Sequence, residues 1–481
     1  MKKNCFKLST LLLSAMFCML MAACGDDEKK DDPTPEDIDK PITPVEPTKE
    51  SAMSVTEQKE YLEKVAFEFM DQMPSSDFND LADLGMYIHK NYSQTYDWST
   101  VEKWARDVFD ASRQAVGQPT TETEKYEGYG YTNIYNYIYT DYKSLLLASN
   151  MKGHFTARNG RWVQEKADDL QFVFEDKRGQ QCVLKLETSG SVKKVHVFGI
   201  EDTKEYDWSA NGNVYTDNRY IDRTQVTIGV PETIVVTLTQ GGSQVVKTTV
   251  KIDLGSLTGE EFDISKDNLT ASVQVELNNG YRFDVSQVTY TANKSVSVIF
   301  TMSKSGQSLV SVSISGDVSN LPSVNVSAFS QKNFDRDDYS FDKVNVKNAF
   351  AKIDIIGKVQ IQGTVSDIRK FADYISDADK NVDTESTFKS YINQANALID
   401  FNLFYDGKST KQAAVKFEPF VDGTWNGRTW WRAEPVLNFY DGSSYSTFEA
   451  FFNEKDFQKV IDTFKDLAKK YAYLIDEQIS W

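Results

Sequence analysis

Three tryptophans stand close together late in this 481-residue chain: Trp425, Trp430 and Trp431, with Arg428 between them and Arg432 and Glu434 alongside. Indole faces next to charged and amide groups suit a sugar, whose C–H face stacks on the ring while polar neighbours fix its hydroxyls. Trp425, Arg428, Trp430 and Trp431 are therefore the first candidates for a ligand patch; the competing reading is that tryptophans flanking a strand belong to a core. A second aromatic concentration, Tyr126, Tyr129, Tyr131, Tyr135, Tyr137, Tyr139 and Tyr142, offers either a similar platform or the rim of a packed helix.

Other residue types restrict the chemistry. Asp377, Asp379, Asn381 and Asp383 alternate as calcium ligands do, but the sixth and twelfth places hold Val382 and Phe388 rather than glycine and glutamate. No metal is expected there. His89, His154 and His196 lie in different segments without zinc spacing. Beyond Cys24 the only cysteine is Cys182, in the alternating stretch Gln181-Cys182-Val183-Leu184, which reads as a packed strand. The 71 acidic residues are too many to single out a catalytic pair. No Gly-rich phosphate loop, nucleophile elbow or His-Glu-x-x-His helix is present. The inventory leans towards binding rather than catalysis, with no cofactor.

A net charge of −18 disfavours nucleic acid and other polyanions as partners. Lys2, Lys3 and Lys7 precede an apolar stretch that runs to Ala22-Ala23, is too short for a comfortable span, and ends at Cys24. A cysteine after Leu20-Met21-Ala22-Ala23 resembles the lipobox of bacterial lipoproteins, with Met21 where leucine is commoner. The resemblance implies cleavage before Cys24 and acylation of its thiol and amino group, and two or more acyl chains suffice for stable anchoring at about 0.8 kcal/mol per buried CH₂. The acidic run Gly25-Asp26-Asp27-Glu28-Lys29-Lys30-Asp31-Asp32 is similar to the export signal of Bacteroides-type surface lipoproteins. That implies an outer-membrane, lipid-anchored protein at the cell surface; the alternative is a solvated spacer on a periplasm-facing one. Pro33, Pro35, Pro41, Pro44 and Pro47 keep the following tether extended.

The organisation expected is a signal over residues 1–23, a lipidated cysteine and tether over 24–53, a helical region over 54–150, a β-hairpin region over 151–345 and a mixed region over 346–481. Helical spacing predicts helices over 55–73, 80–91 and 99–116, the last opened by a capping box of Ser99 and Glu102. Residues 133–149 also read as a helix. Alternation then takes over. Asn159-Gly160 marks a hairpin, and Ile234–Thr239 and Val296–Thr301 head two similar hairpins 62 residues apart, suggesting duplication. A hairpin of the same form surrounds Asp176–Gly179, and looser ones surround Asp406-Gly407 and Asp441-Gly442. Helices are expected over 365–376 and 386–400, and 454–479 carries a long apolar stripe.

Serial hairpins cannot each bury a face alone, so the expected fold is α+β: one long twisted antiparallel sheet covered by N-terminal and C-terminal helices. The expected function is a non-enzymatic, surface-anchored binding lipoprotein whose ligand is a glycan or another extracellular molecule. Two alternatives stand beside it: a carrier of a lipid or other apolar ligand in a sheet–helix groove, and an envelope scaffold or adhesin component.

Overall fold

The computed structural model describes residues 49–319, 346–380, 384–425, 428–441 and 445–447. Cys24, nearly all of the tether, and the apolar stripe of residues 454–479 lie outside them. After the two-residue strand β1 (Lys49–Glu50), helix α1 (Val55–Gln72) opens at Ser54. The Ser54 hydroxyl accepts the Glu57 N–H at 3.3 Å, and the Glu57 carboxylate accepts the Ser54 N–H at 2.7 Å, a reciprocal capping box. A 3₁₀ turn (Ser75–Phe78), α2 (Asn79–Ile88), a π-helical turn (His89–Ser93) and α3 (Ser99–Ser112) complete the helical region.

Two expectations change here. At the start of α3, the Asp97 carboxylate accepts the Ser99 N–H at 2.9 Å, and Trp98 rather than Ser99 is the capping residue. Asp97 reaches the backbone two residues on, as short acidic side chains do. At the other end α3 stops at Ser112, where Arg113 turns extended and enters a sheet as β2 (Arg113–Ala115).

The larger correction concerns residues 133–149. The chain runs as β3 (Thr120–Gly128), then β4 (Tyr131–Leu147), a 17-residue strand instead of a helix. Its odd positions hold Tyr131, Tyr135, Tyr137 and Tyr139 and its even ones Ile134, Ile138 and Tyr142, a period of two. Ladders on both edges of β4 satisfy its backbone and override any helical drift in the pattern.

There follow β5 (Gly153–Arg158), β6 (Arg161–Glu165), β7 (Leu170–Glu175), β8 (Gln181–Asn211), β9 (Val214–Gln240), β10 (Ser243–Asp253), β11 (Leu269–Leu277), β12 (Tyr281–Thr291), β13 (Ser295–Lys304), β14 (Gln307–Asp317), β15 (Lys347–Ile355) and β16 (Val359–Asp367). Helices α4 (Ile368–Lys380) and α5 (Glu385–Asn396) interrupt. Strands β17 (Ile399–Tyr405), β18 (Thr410–Lys411), β19 (Ala413–Trp425), β20 (Arg428–Phe439) and β21 (Tyr445–Thr447) end the described chain. Apart from a small β1–β18 pair, all these strands join one sheet. Traced pair by pair among the described residues, it is a branched line: β6, β5, β7, β8 and β9, then each successive strand to β17, then β19, β20 and β21. The expected antiparallel sheet is in fact mixed, because β5–β7 and β4–β9 are parallel.

The branch is at β9. One edge of β9 pairs with β8 throughout. Its other edge pairs with β4 from Val214 to Gly229 and with β10 from Thr233 to Gln240. Pro231, which has no N–H to donate, sits in the changeover. Beyond it, β3, β4, β9 and β8 run on side by side as a four-stranded arm. Its nineteen residues of β9 before Thr233 span roughly 60 Å at about 3.3 Å per residue.

The expected hairpins form. Asn159 and Gly160 both have positive φ, 51° and 76°, as a type I′ turn requires. The two similar hairpins superpose in register at 64 residues rather than 62: Leu238 pairs Val246, and Met302 pairs Val310. A shift of two keeps every side chain on its face, so alternation alone does not distinguish the registers.

Helices α1 to α3 cover one face of the sheet. Phe155, fully buried, lies between Trp104 (ring centroids 5.1 Å, edge-on) and Phe172 (5.0 Å, stacked), with Trp98 and Trp162 beside them. Leu62 and Val65 of α1 pack on Val359, Leu403, Ala413 and Leu437. Phe388 and Ile392 of α5 close a smaller cluster with Phe417 and Trp431. Replacing Phe155 by Ala should cost about 3–5 kcal/mol, measured by urea unfolding; a loss below about 1 kcal/mol, typical of surface positions, would contradict this packing.

Candidate functional site

Residues opposite one another across a ladder share a face, so register alone assembles the arm's surface. One face carries Tyr126 from β3, Tyr131, Tyr135, Tyr137 and Tyr139 from β4, Tyr215 from β9, and Tyr206 and Trp208 from β8. The rings interlock as a surface. Trp208 stacks on Tyr215 at 5.9 Å, Tyr131 meets Tyr215 edge-on at 6.1 Å, and Tyr126 meets Tyr135 edge-on at 5.8 Å. Four of them stay open to solvent, with Trp208 61% exposed, Tyr206 66%, Tyr126 56% and Tyr131 42%, while Tyr135, Tyr137, Tyr139 and Tyr215 are half-buried between their neighbours. A packed core would not leave such rings bare.

Charges are threaded between the rings. The Arg219 guanidinium lies 5.4 Å from the Tyr135 ring and 5.7 Å from the Tyr137 ring, and donates to Asp217 at 3.1 Å. Arg223 lies 4.2 Å over Tyr139 and grips Asp141 with two bonds of 2.8 and 3.1 Å. These cation–π contacts, the forked Arg223–Asp141 pair and the single Arg219–Asp217 bond hold the side chains in place. Desolvation, then the nearby carboxylate, raises the Tyr137 and Tyr139 hydroxyls above the usual tyrosine range, with Glu124 acting on the first and Glu122 on the second. Both stay protonated donors at neutral pH.

The opposite face, which bears Ile134, Ile138, Tyr142 and Tyr220, also carries a structural row of polar groups. Thr123 donates to Asn136 at 2.7 Å and Asn136 to Asn218 at 2.8 Å, a hydrogen-bonded row across three strands. At the root, buried Asp222 takes Arg113 at 2.5 Å and Lys204 at 2.9 Å, and Arg113 lies 3.9 Å over the Tyr142 ring. This ties the end of α3 to the arm.

On the aromatic face the root is closed by the loop of residues 254–268. Glu261 accepts the Thr227 hydroxyl at 2.9 Å and lies 3.9 Å from His196, while the Phe262 N–H bonds the Lys194 carbonyl at 2.9 Å. The loop is shaped by two aspartates. Buried Asp267 accepts N–H groups of Thr258 (2.9 Å) and Asp263 (2.8 Å), and Asp263 accepts the Ser265 N–H at 2.9 Å and hydroxyl at 2.6 Å and pairs with Lys266.

The tryptophan patch expected from sequence is divided. Trp430 and Trp431 are neighbours on β20 and turn to opposite faces: Trp430 is 43% exposed, while Trp431 packs on the α4–α5 cluster. Trp425 and Arg428 pair at the hairpin end, and their side chains lie outside the described set. Arg432 pairs with Glu434. Asp377 lies in α4, whose start comes three residues later than expected, and Thr384 caps α5 by accepting the Thr387 N–H at 3.2 Å. Asn381 and Asp383 are outside the described residues. The histidines stay apart: His154 meets Asp169 at 2.6 Å, His89 meets Gln94 at 3.0 Å, and His196 faces Glu261. Cys182 is buried, and that burial pushes its thiol up to about 11, away from nucleophilic use.

Two cavities are described, of about 260 Å³ beside α2 and about 510 Å³ at the arm's root; both have many polar and charged residues in their walls. Among the described residues no helix is long and apolar enough to cross a membrane, and no cluster of three metal-binding side chains occurs. Comparison with protein-family models, with curated proteins and with solved structures finds no match.

The loop that closes the root should respond to acid. Lys266, then Ser265, draw the Asp263 carboxyl down to about 2 from an ordinary 3.8. A folded-state pKa below the unfolded one stabilises the fold above the unfolded value, and that contribution is lost as pH falls through the folded one. Amide exchange at Ser265, whose N–H bonds the Asp263 carboxylate, should keep its protection down to about pH 4 and lose it towards about pH 2. Asp263→Asn should lack this transition; an unchanged profile would refute the assignment.

Proposed function

We propose that the protein is a non-enzymatic, surface-anchored lipoprotein that binds glycans on the aromatic face of its projecting arm. The observation that carries this reading is an uncovered sheet face bearing eight tyrosine and tryptophan rings with arginine and carboxylate groups set between them. Ring faces stack on sugar C–H surfaces, and fixed charged groups meet hydroxyls without having to be ordered on binding. Asp141 and Asp217 are held by arginines, which suits hydrogen-bond acceptors better than a free acid–base pair. From Tyr131 to Lys143 the track runs about 40 Å at about 3.3 Å per residue, enough for several rings of an extended chain.

Location supports the same reading. Acylation of Cys24 and an acidic, proline-rich tether would present the arm beyond the outer membrane, where extracellular glycans are met. A scaffold or adhesin role is the second reading. It draws on β3, whose nine residues are all exposed and which pairs only with β4 among the described residues. Against it, Glu122, Glu124, Lys125 and Glu127 charge that edge, a common means of keeping strands from adding to it.

The full-length protein should bind a subset of polysaccharides on a glycan array. Trp208→Ala and Tyr206→Ala should each weaken that binding about tenfold or more, as anchors of an interface do. If Trp430→Ala alone lowers it, the site lies on the β19–β20 hairpin instead. In its native host, Cys24→Ala should abolish incorporation of an alkyne-tagged fatty acid and release the protein from the membrane fraction; continued labelling would exclude Cys24 as the anchor.

A further inference from the structure

The aromatic track ends in a recess. At the root, Asp141 and Lys143 of β4, Arg223 and Gln225 of β9, and Glu201 of β8 wall a cavity of about 510 Å³. Register puts all of them on the ring-bearing face, because Asp141 pairs Arg223 and Lys143 pairs Gln225, while Glu201 and Gly199 pair Arg223 and Gln225 from the other side. Gly199 has no side chain, and this creates the depression. Its backbone does not require glycine: φ is ordinary, and an added Cβ would meet only the Thr224 carbonyl oxygen, at 3.6 Å. The missing side chain therefore leaves room on the face and relieves no strain.

The recess is open outward, towards Tyr139, Tyr137 and Tyr135, and stopped inward. One pair beyond Gln225, Thr227 and His196 lie under Glu261, and the 254–268 loop stands on the face. A chain lying along the rings can enter only from the tip side and goes no further than the loop. The wall groups balance, with carboxylates of Asp141 and Glu201 against the cations of Arg223 and Lys143. The outer track adds Glu122, Glu124 and Asp217 against Arg219. An anionic sugar gains nothing from this field, whereas hydroxyls find both donors and acceptors.

We propose that the recess is a terminal subsite that takes the end sugar of a neutral glycan whose following residues lie on the aromatic track. This rests on the glycan-binding reading above. The test uses the full-length protein and each neutral polysaccharide that it binds, offered at equal mass either intact or after partial digestion to hexasaccharides. Digestion multiplies chain ends without changing composition.

A terminal subsite makes the digest the better competitor by about tenfold or more, the worth of one or two well-placed hydrogen bonds. Gly199→Leu, which fills the floor, should bring that ratio close to one, with Gly199→Ala intermediate. Lys143→Ala combined with Gln225→Ala should lower it without touching the floor. Trp208→Ala should weaken intact polymer and digest alike. Equal competition by polymer and digest in the wild type, or a ratio unmoved by Gly199→Leu, would overturn the subsite and leave the aromatic face as the glycan site. Preferential binding of acidic polysaccharides would overturn the neutral assignment. Failure to bind any polysaccharide would remove both readings.

Discussion

The structure turns on a single strand changing partners. A β-strand has two hydrogen-bonding edges, and every buried backbone group on them must find a partner. Strand β9 gives one edge wholly to β8 and divides the other between β4 and β10, with Pro231 at the division, where a missing N–H costs least. On the Gln240 side of that point the sheet runs on as a line of hairpins under helices α1 to α3 and acquires a core. On the Val214 side it runs out as the arm. Body and arm are therefore one continuous piece of backbone, and the arm needs no hydrophobic core of its own to hold its direction.

An uncored ribbon must still order its side chains. The face opposite the ring-bearing one does this with a row of hydrogen bonds through Thr123, Asn136 and Asn218, and with Asp222 buried between Arg113 and Lys204. The aromatic face uses rings packed edge to face and guanidinium groups laid over them. Such rings would lose little rotamer freedom on meeting a ligand, since each has only two side-chain torsions and neighbours already restrict them. These contacts order the rings against one another, which is why an exposed aromatic surface persists here without a helix over it.

Much of the body was legible in the chain. Asn159-Gly160, Asp176–Gly179 and Asp406-Gly407 marked their turns because a type I′ or similar turn leaves a local chemical signature. Helices α1, α2 and α5 followed from apolar spacing, although α5 ends at Asn396 and the expected last residues, Ile399-Asp400, open β17 instead. The arm was not legible, for a physical reason. Tyrosines at 131, 135, 137 and 139 satisfy a period of two and, together with Tyr142, loosely one near helical spacing, and only pairing with residues some 80 positions later decides between them. The alternation of Tyr135, Tyr137 and Tyr139, and the Asn211-Gly212-Asn213 turn between Trp208 and Tyr215, were the available signals. The tryptophan patch failed in a different way. Adjacency along a strand separates side chains to opposite faces, so Trp430 and Trp431 could not share a surface once β20 was extended.

The parallel ladder between β4 and β9 also has a mechanical meaning. Sixteen residue pairs, from Thr132–Val214 to Leu147–Gly229, link the two strands side by side along the arm. Their hydrogen bonds run across the strands rather than along them. A pull on the tip in the direction of the arm runs as tension along strands that each continue into the body, and load passed between neighbours reaches these rungs in shear, spread over many at once, instead of opening them one at a time. A protein held to a membrane at one end and to a bulky ligand at the other would feel drag along that line. The geometry that carries the rings outward is also the one in which a β-ribbon yields last.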